Sequence, residues 1–135
     1  MNTIDLKGRL AIITGGARGI GFATAQKMLA SGAAVALWDI DAEALAKASG
    51  ELAKSGRVHT AVVELTDETS IRKAADALIR DAGKIDILVN NAGITGGNAP
   101  TWELKPDIWR RVIEVNLVAP YLTCHVVVPY MIKAG

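Results

Sequence analysis

A chain of 135 residues has the length of one domain, and with half of those residues hydrophobic it can bury a core covering roughly two thirds of its unfolded surface. Fifteen Lys and Arg against fourteen Asp and Glu leave a formal charge of +1, with no basic block or acidic tail to recruit nucleic acid or lipid. A small-molecule partner is expected. The single cysteine, Cys124, excludes an intrachain disulfide, and Met1 to Lys7 has no apolar signal core, so a cytoplasmic setting is expected.

Apolar runs bounded by turn residues alternate with helical periodicity along the whole chain. Leu10 to Ile13 reads as a first strand, followed by the turn Thr14 to Gly21 and a helix closed by Ser31-Gly32. Ala34 to Asp39 reads as a second strand, and Asp41 caps a helix over Ala42 to Lys54. Val58 to Leu65 is the expected third strand. A helix started by Asp67 then carries Ile71, Ala74, Ala75, Leu78 and Ile79 on one face, with Gly83 at its left-handed cap. Ile85 to Val89 is the expected fourth strand. It leads into Asn90-Asn91-Ala92-Gly93, a loose stretch over 94–102 and an apolar helix from Asp107 almost to Gly135.

Strands separated by helices of this length imply right-handed crossovers and a parallel sheet covered on both faces, half of a doubly wound α/β fold. Val115 to Ile132 runs 18 residues without a formal charge, the lower limit for a membrane span. Asn116, Thr123, His125, Pro120 and Pro129 interrupt it with groups costly in lipid. A buried or subunit-facing helix is therefore expected.

The chemistry concentrates on the first turn. Backbone N–H groups at a helix start have no intrahelical partner and lie at the positive end of the dipole, so a glycine turn there can hold a diphosphate. Gly15, Gly19 and Gly21 make G-x-x-x-G-x-G after the first strand. Asp39 lies at the end of the second strand, 18 residues past Gly21. A carboxylate there accepts both hydroxyls of an adenosine ribose and repels a 2′-phosphate, which favours NAD over NADP. Asp39 has a second reading as a helix cap, for which Asp41 is better placed. Arg18, inside the turn, suits a 2′-phosphate, the diphosphate or solvent alike.

Thr14 to Gly21 resembles the T-G-x-x-x-G-x-G signature, and Asn90 to Gly93 the N-N-A-G signature, of the short-chain dehydrogenase/reductase family. The resemblance covers the whole chain, as a single domain, and implies a Rossmann-like sheet with strand order 3-2-1-4. It implies that Gly15, Gly16, Arg18, Gly19, Ile20 and Gly21 form the diphosphate and adenosine side. Asn91, Ala92 and Gly93 would pass beside the riboses, and Asn90 would tie the fourth strand to the first. Glu64 and Leu65 stand where the family usually has an aspartate and an apolar residue against adenine. Asn116 matches the family's helix asparagine, whose carbonyl holds a water in the proton relay. Pro120 gives that a local cause, because four residues on it offers no N–H to the Asn116 carbonyl.

Family chemistry moves hydride between a secondary alcohol or ketone and nicotinamide, using a serine and a Tyr-x-x-x-Lys pair placed after a fifth strand. Those residues are not found before Gly135. Tyr130 and Lys133 are three apart rather than four, and Tyr121 and Cys124 read as core of the same apolar helix. The expectation is an amino-terminal, cofactor-binding half of a longer, NAD-dependent oxidoreductase, inactive by itself. It would form a dimer or tetramer through the helix 107–133. The rival is a catalytically silent nucleotide-binding or dimerisation module; an epimerase or dehydratase on the same scaffold also remains open. No metal site is expected.

Overall fold

The computed structural model describes residues 3–135; Met1 and Asn2, where the stretch without a signal core begins, lie outside them. The elements are β1 (Leu10–Thr14), α1 (Gly19–Ala30), β2 (Ala34–Asp39), α2 (Ala42–Leu52), β3 (Val58–Val62), α3 (Glu68–Ala82) and β4 (Ile87–Val89). After them come α4 (Pro106–Ile113), a π-helical turn (Glu114–Val118) and α5 (Ala119–Ala134). All strand pairs are parallel and the order is β3-β2-β1-β4, the Rossmann-like order 3-2-1-4.

Strand alternation divides the core into two layers. Leu10 and Ile12 of β1 with Ala36 and Trp38 of β2 face Ile71, Ala75 and Leu78 of α3 and Val126 and Val127 of α5. Ile13, Val35 and Leu37 point the other way, onto Ala25 and Leu29 of α1 and Leu45, Ala48 and Leu52 of α2. Helix starts and stops follow the local chemistry. Asp41 accepts from Ala44 N at 3.0 Å and Asp67 from Thr69 N at 3.0 Å, while Gly83 closes α3 in the left-handed region at φ 84°.

Three local expectations need correction. β3 stops at Val62, because its partner β2 ends at Asp39, the register partner of Val62. Val63 is nevertheless buried and its N–H still donates to Asp39 O at 2.9 Å, so pairing fades one residue past the assigned strand while packing continues. β4 starts at Ile87; Ile85 is fully buried before it, and Asp86 reaches β1 by a single backbone bond to Leu10 O at 2.9 Å. The final helix runs unbroken from Pro106 to Ala134 as expected, with the π turn Glu114–Val118 inside it. Tyr121 is not core: it is 63% exposed and stacks on His125 with ring centroids 5.8 Å apart. The stretch Pro106–Ala134 is long and apolar enough to cross a membrane by length and composition alone. Its Ala119, Thr123, Val126 and Val127 are committed to the protein core.

Candidate dinucleotide site

A cleft of about 530 Å³ opens at the carboxyl ends of the strands. Gly15, Arg18, Ile20, Asp39, Glu64, Leu65, Asn91, Ala92 and Gly93 line it, with Ile40, Asp41, Val63, Ile94, Arg111 and Val115 completing the wall. Most of the residues expected at a cofactor are thus brought together. Gly16, Gly19, Gly21 and Asn116 stand around it without lining it.

The glycines build the floor by close approach. A Cβ on Gly15 would come 3.0 Å from Ala92 Cα, and Gly15 has φ +63°, a conformation only glycine takes easily. A Cβ on Gly21 would come 2.3 Å from Gly15 O and 2.6 Å from Asn91 Nδ2, and one on Gly16 would come 2.9 Å from Ile13 O. Gly16 and Gly21 therefore set packing beneath the turn. Gly15 N donates to Trp38 O at 2.7 Å, Gly16 N to the same oxygen at 3.4 Å, and Ala17 N to Asp39 Oδ2 at 3.2 Å. The first intrahelical bond runs from Phe22 N to Arg18 O.

That leaves the amides of Gly19, Ile20 and Gly21 at the start of α1 without intrahelical acceptors. The Arg18 side chain makes no capping bond to the first turn, and that turn carries no acidic residue. An uncapped, positively polarised helix end facing a cleft fits a diphosphate.

Across the cleft, Thr14 acts as a hub. Its hydroxyl accepts from Asn91 N at 2.9 Å and from Ala92 N at 3.1 Å, and donates to Val89 O at 3.4 Å. Asn91 Nδ2 donates to Thr14 O at 3.0 Å and Gly15 O at 3.3 Å. Asn91, not Asn90, therefore ties the fourth strand to the first; Asn90 Nδ2 instead lies 3.4 Å from Cys124 Sγ on α5. The cause is the strand period of two. Val89 packs in the α1 layer and Leu88 in the α5 layer, so Asn91 continues toward α1 and Asn90 toward α5.

Asn116 sits in the π turn, where Ala119 N donates to Glu114 O, five residues back. Its side chain makes a reciprocal pair with Ile94: Oδ1 accepts from Ile94 N and Nδ2 donates to Ile94 O, both at 2.8 Å. The segment after Gly93 is held to the helix by this clasp. At the cleft wall beyond β3, Glu64 Oε1 accepts from the Thr66 hydroxyl at 2.7 Å and from Arg111 Nη2 at 3.4 Å. The Thr66 bond, aided by Arg111 against the opposing effect of burial, holds the Glu64 carboxyl below its ordinary value.

Thr14, Thr66 and Arg111 are functional neighbours that sequence reasoning did not single out. Thr14 opens the glycine signature and could have been read from it; Arg111 lies far off in sequence, and nothing local marks it. Tyr130 is outside the cleft, where its hydroxyl donates to Asp76. That bond raises its pKa, the wrong direction for a general base.

A family described as short chain dehydrogenase matches residues 9–135. The 2-dehydro-3-deoxy-L-rhamnonate dehydrogenase (NAD(+)) of Sphingomonas sp. is 40% identical over 128 residues, which cover 95% of this chain and 50% of that protein. A 3-oxoacyl-acyl-carrier-protein reductase of Thermotoga maritima is 40% identical, with coverages of 95% and 52%. Among solved structures, NAD+-bound xylitol dehydrogenase superposes with a TM-score of 0.92 at 33% identity, covering 95% of this chain and 50% of that one. Pseudomonas aeruginosa RhlG with NADP superposes at 0.91 and 33% identity, covering 100% and 53%. The chain thus spans about half the length of the relatives it matches. With the family matched over nearly all of its residues and the glycine turn, Asp39 and the Asn91 bonds to that turn in place, the chain belongs to the short-chain dehydrogenase family.

Proposed function

We propose that this chain is the cofactor-binding half of an oxidoreductase that moves hydride between NAD(H) and a secondary alcohol or ketone. The observation that carries the reading is the uncapped start of α1 beside the Asp39 carboxylate in one cleft. The free amides of Gly19, Ile20 and Gly21 would take the diphosphate. Asp39 already accepts from Ala17 N and, through Oδ1, from Asp41 N at 3.2 Å, so its carboxylate is oriented before any ribose arrives. Ala92 and Gly93 offer a flat backbone wall whose position Thr14 and Asn91 fix. Leu65 and Val63 supply apolar surface for an adenine. When bound, nicotinamide supplies the hydride acceptor or donor. The Asn116 carbonyl, without an N–H from Pro120, would hold a water for proton transfer.

The names of relatives mention both NAD and NADP, so the preference rests on Asp39. Calorimetric titration of the folded chain with each dinucleotide tests it: NAD should bind more tightly, and Asp39→Ala should weaken NAD while relaxing discrimination against NADP. Equal affinities in the parent chain, unchanged by Asp39→Ala, would refute the assignment. The 135 residues should bind without turning over, because neither Tyr121 nor Tyr130 lies in the cleft. Accumulation of NADH from secondary alcohols by this chain alone would contradict that.

The proposal extends to self-association in the cytoplasm. Leu117, Tyr121 and Ile132 are 66%, 63% and 74% exposed along α5 and the turn before it. An apolar stripe of this kind calls for cover, and a second copy of the same helix supplies it. Sedimentation should give a dimer or tetramer that Tyr121→Glu dissociates; a monodisperse monomer at high concentration would count against it.

A further inference from the structure

Asp41, two residues beyond Asp39, holds two partners at once. Its Oδ1 caps α2 through Ala44 N, and its Oδ2 accepts from Arg18 Nη2. Arg18 is the one cationic side chain of the turn Thr14 to Gly21, and with Arg111 it makes two cations on the cleft wall. Arg111 is engaged on the opposite side by Glu64 and Thr66.

These contacts bear on the choice between dinucleotides. A 2′-phosphate brings further negative charge beside Asp39 and needs a guanidinium to offset it. The guanidinium on that side is already paired. The pairing belongs to a closed circuit: Ala17 N bonds Asp39, Asp39 bonds Asp41 N, and Asp41 returns to Arg18. The glycine turn and the β2–α2 connection are thereby locked to each other through the acidic pair.

We propose that Asp41 is a specificity-determining residue that holds Arg18 out of reach of a 2′-phosphate, so that the cation of the glycine turn does not serve NADP. The inference rests on reading the cleft as a dinucleotide site. Arg18 and Asp41 are 68% and 42% exposed, so the restraint is that of a surface ion pair, a factor of about two to five in affinity.

Removing the Asp41 charge alone also lessens repulsion of the phosphate, so a double-mutant cycle is needed. Asp41→Asn keeps a residue that caps helices as well as aspartate and leaves Arg18 free. NADP and NAD are titrated against the parent, Asp41→Asn, Arg18→Gln and the double variant, with urea midpoints confirming that each is folded. The gain in NADP affinity from Asp41→Asn should be about two- to fivefold larger with Arg18 present than with glutamine there. NAD affinity should show no such coupling. An equal NADP gain in both backgrounds overturns the role of Asp41 while leaving the dinucleotide site intact. A folded parent that binds neither dinucleotide overturns the site itself.

Discussion

Replacing Gly21 by alanine tests the idea that the cleft floor is built from close backbone approach. The new Cβ would lie 2.3 Å from Gly15 O and 2.6 Å from Asn91 Nδ2, whereas carbon contacts settle beyond about 3.5 Å. Something must move by roughly 1 Å, and neither neighbour is free to do so. Gly15 is held by Trp38 O at 2.7 Å, and Asn91 by Thr14 O at 3.0 Å. Overpacking of this kind costs about 1–3 kcal/mol, and loss of the Asn91 side-chain bonds adds about 1 kcal/mol each. Against this, alanine gains about 1 kcal/mol over glycine in a helix. The net expectation is a loss of about 2–4 kcal/mol. Gly50→Ala in α2 is the control, since a Cβ there meets nothing within 4 Å and should stabilise by about 0.5–1 kcal/mol. Urea denaturation followed by fluorescence reads both, because Trp38 is 1% exposed while Trp102 and Trp109 are already in solvent. With an m-value of about 2 kcal/mol/M, the midpoint should fall by about 1–2 M for Gly21→Ala. A midpoint equal to that of Gly50→Ala would refute the packing argument.

Asp86 supplies a pH-dependent contribution: its side chain is 6% exposed, and although burial works to raise its pKa, Leu10 N, Lys84 and Arg9 hold it below 3.8. A depressed carboxyl contributes stability above the unfolded pKa and loses it as pH falls through the folded one, so unfolding curves should weaken below about pH 4, less so in Asp86→Asn, which should cost about 1–2 kcal/mol at pH 7. Asn116→Ala removes both bonds to Ile94 and should speed amide hydrogen exchange at Ile94 at least tenfold, about 1.4 kcal/mol of local protection. Unchanged exchange there would mean the segment after Gly93 is held by something else.

Element order and layer architecture were legible because β1, β2 and β4 are short, largely apolar runs and α2 and α3 carry their own start chemistry in Asp41 and Asp67. Their ends were less so. Val63 and Ile85 are as apolar as the strand residues beside them and are buried in the same core layer, yet they lie just outside the ladder, and hydropathy cannot separate a buried strand residue from a buried flank. The final helix concealed its exposed side for a related reason. Nearly every position from Val115 to Ile132 is apolar or small, so no polar face marks the solvent side, and Tyr121 reads as core until the packing of Thr123, Val126 and Val127 shows which way the helix turns. The π turn has a readable cause in Pro120, although its extent over Glu114–Val118 does not follow from a single missing amide.

The paired asparagines show where sequence reasoning stopped short of information it already had. Alternation along β4 assigns Leu88 and Val89 to opposite layers, and carrying the same period two residues further assigns Asn90 and Asn91. Only the residue on the α1 side can meet the glycine turn, because α1 grows out of that turn. Asn91 is thus the one whose amide reaches Thr14 O and Gly15 O, and Gly21 is the helix residue that must lack a side chain for it to arrive. The glycine spacing and the asparagine pair, two signatures some 70 residues apart in sequence, are therefore two halves of one contact. That contact explains why neither was specific alone. A glycine turn without Asn91 would have nothing to hold its carbonyls, and Asn91 without Gly21 would find its place filled.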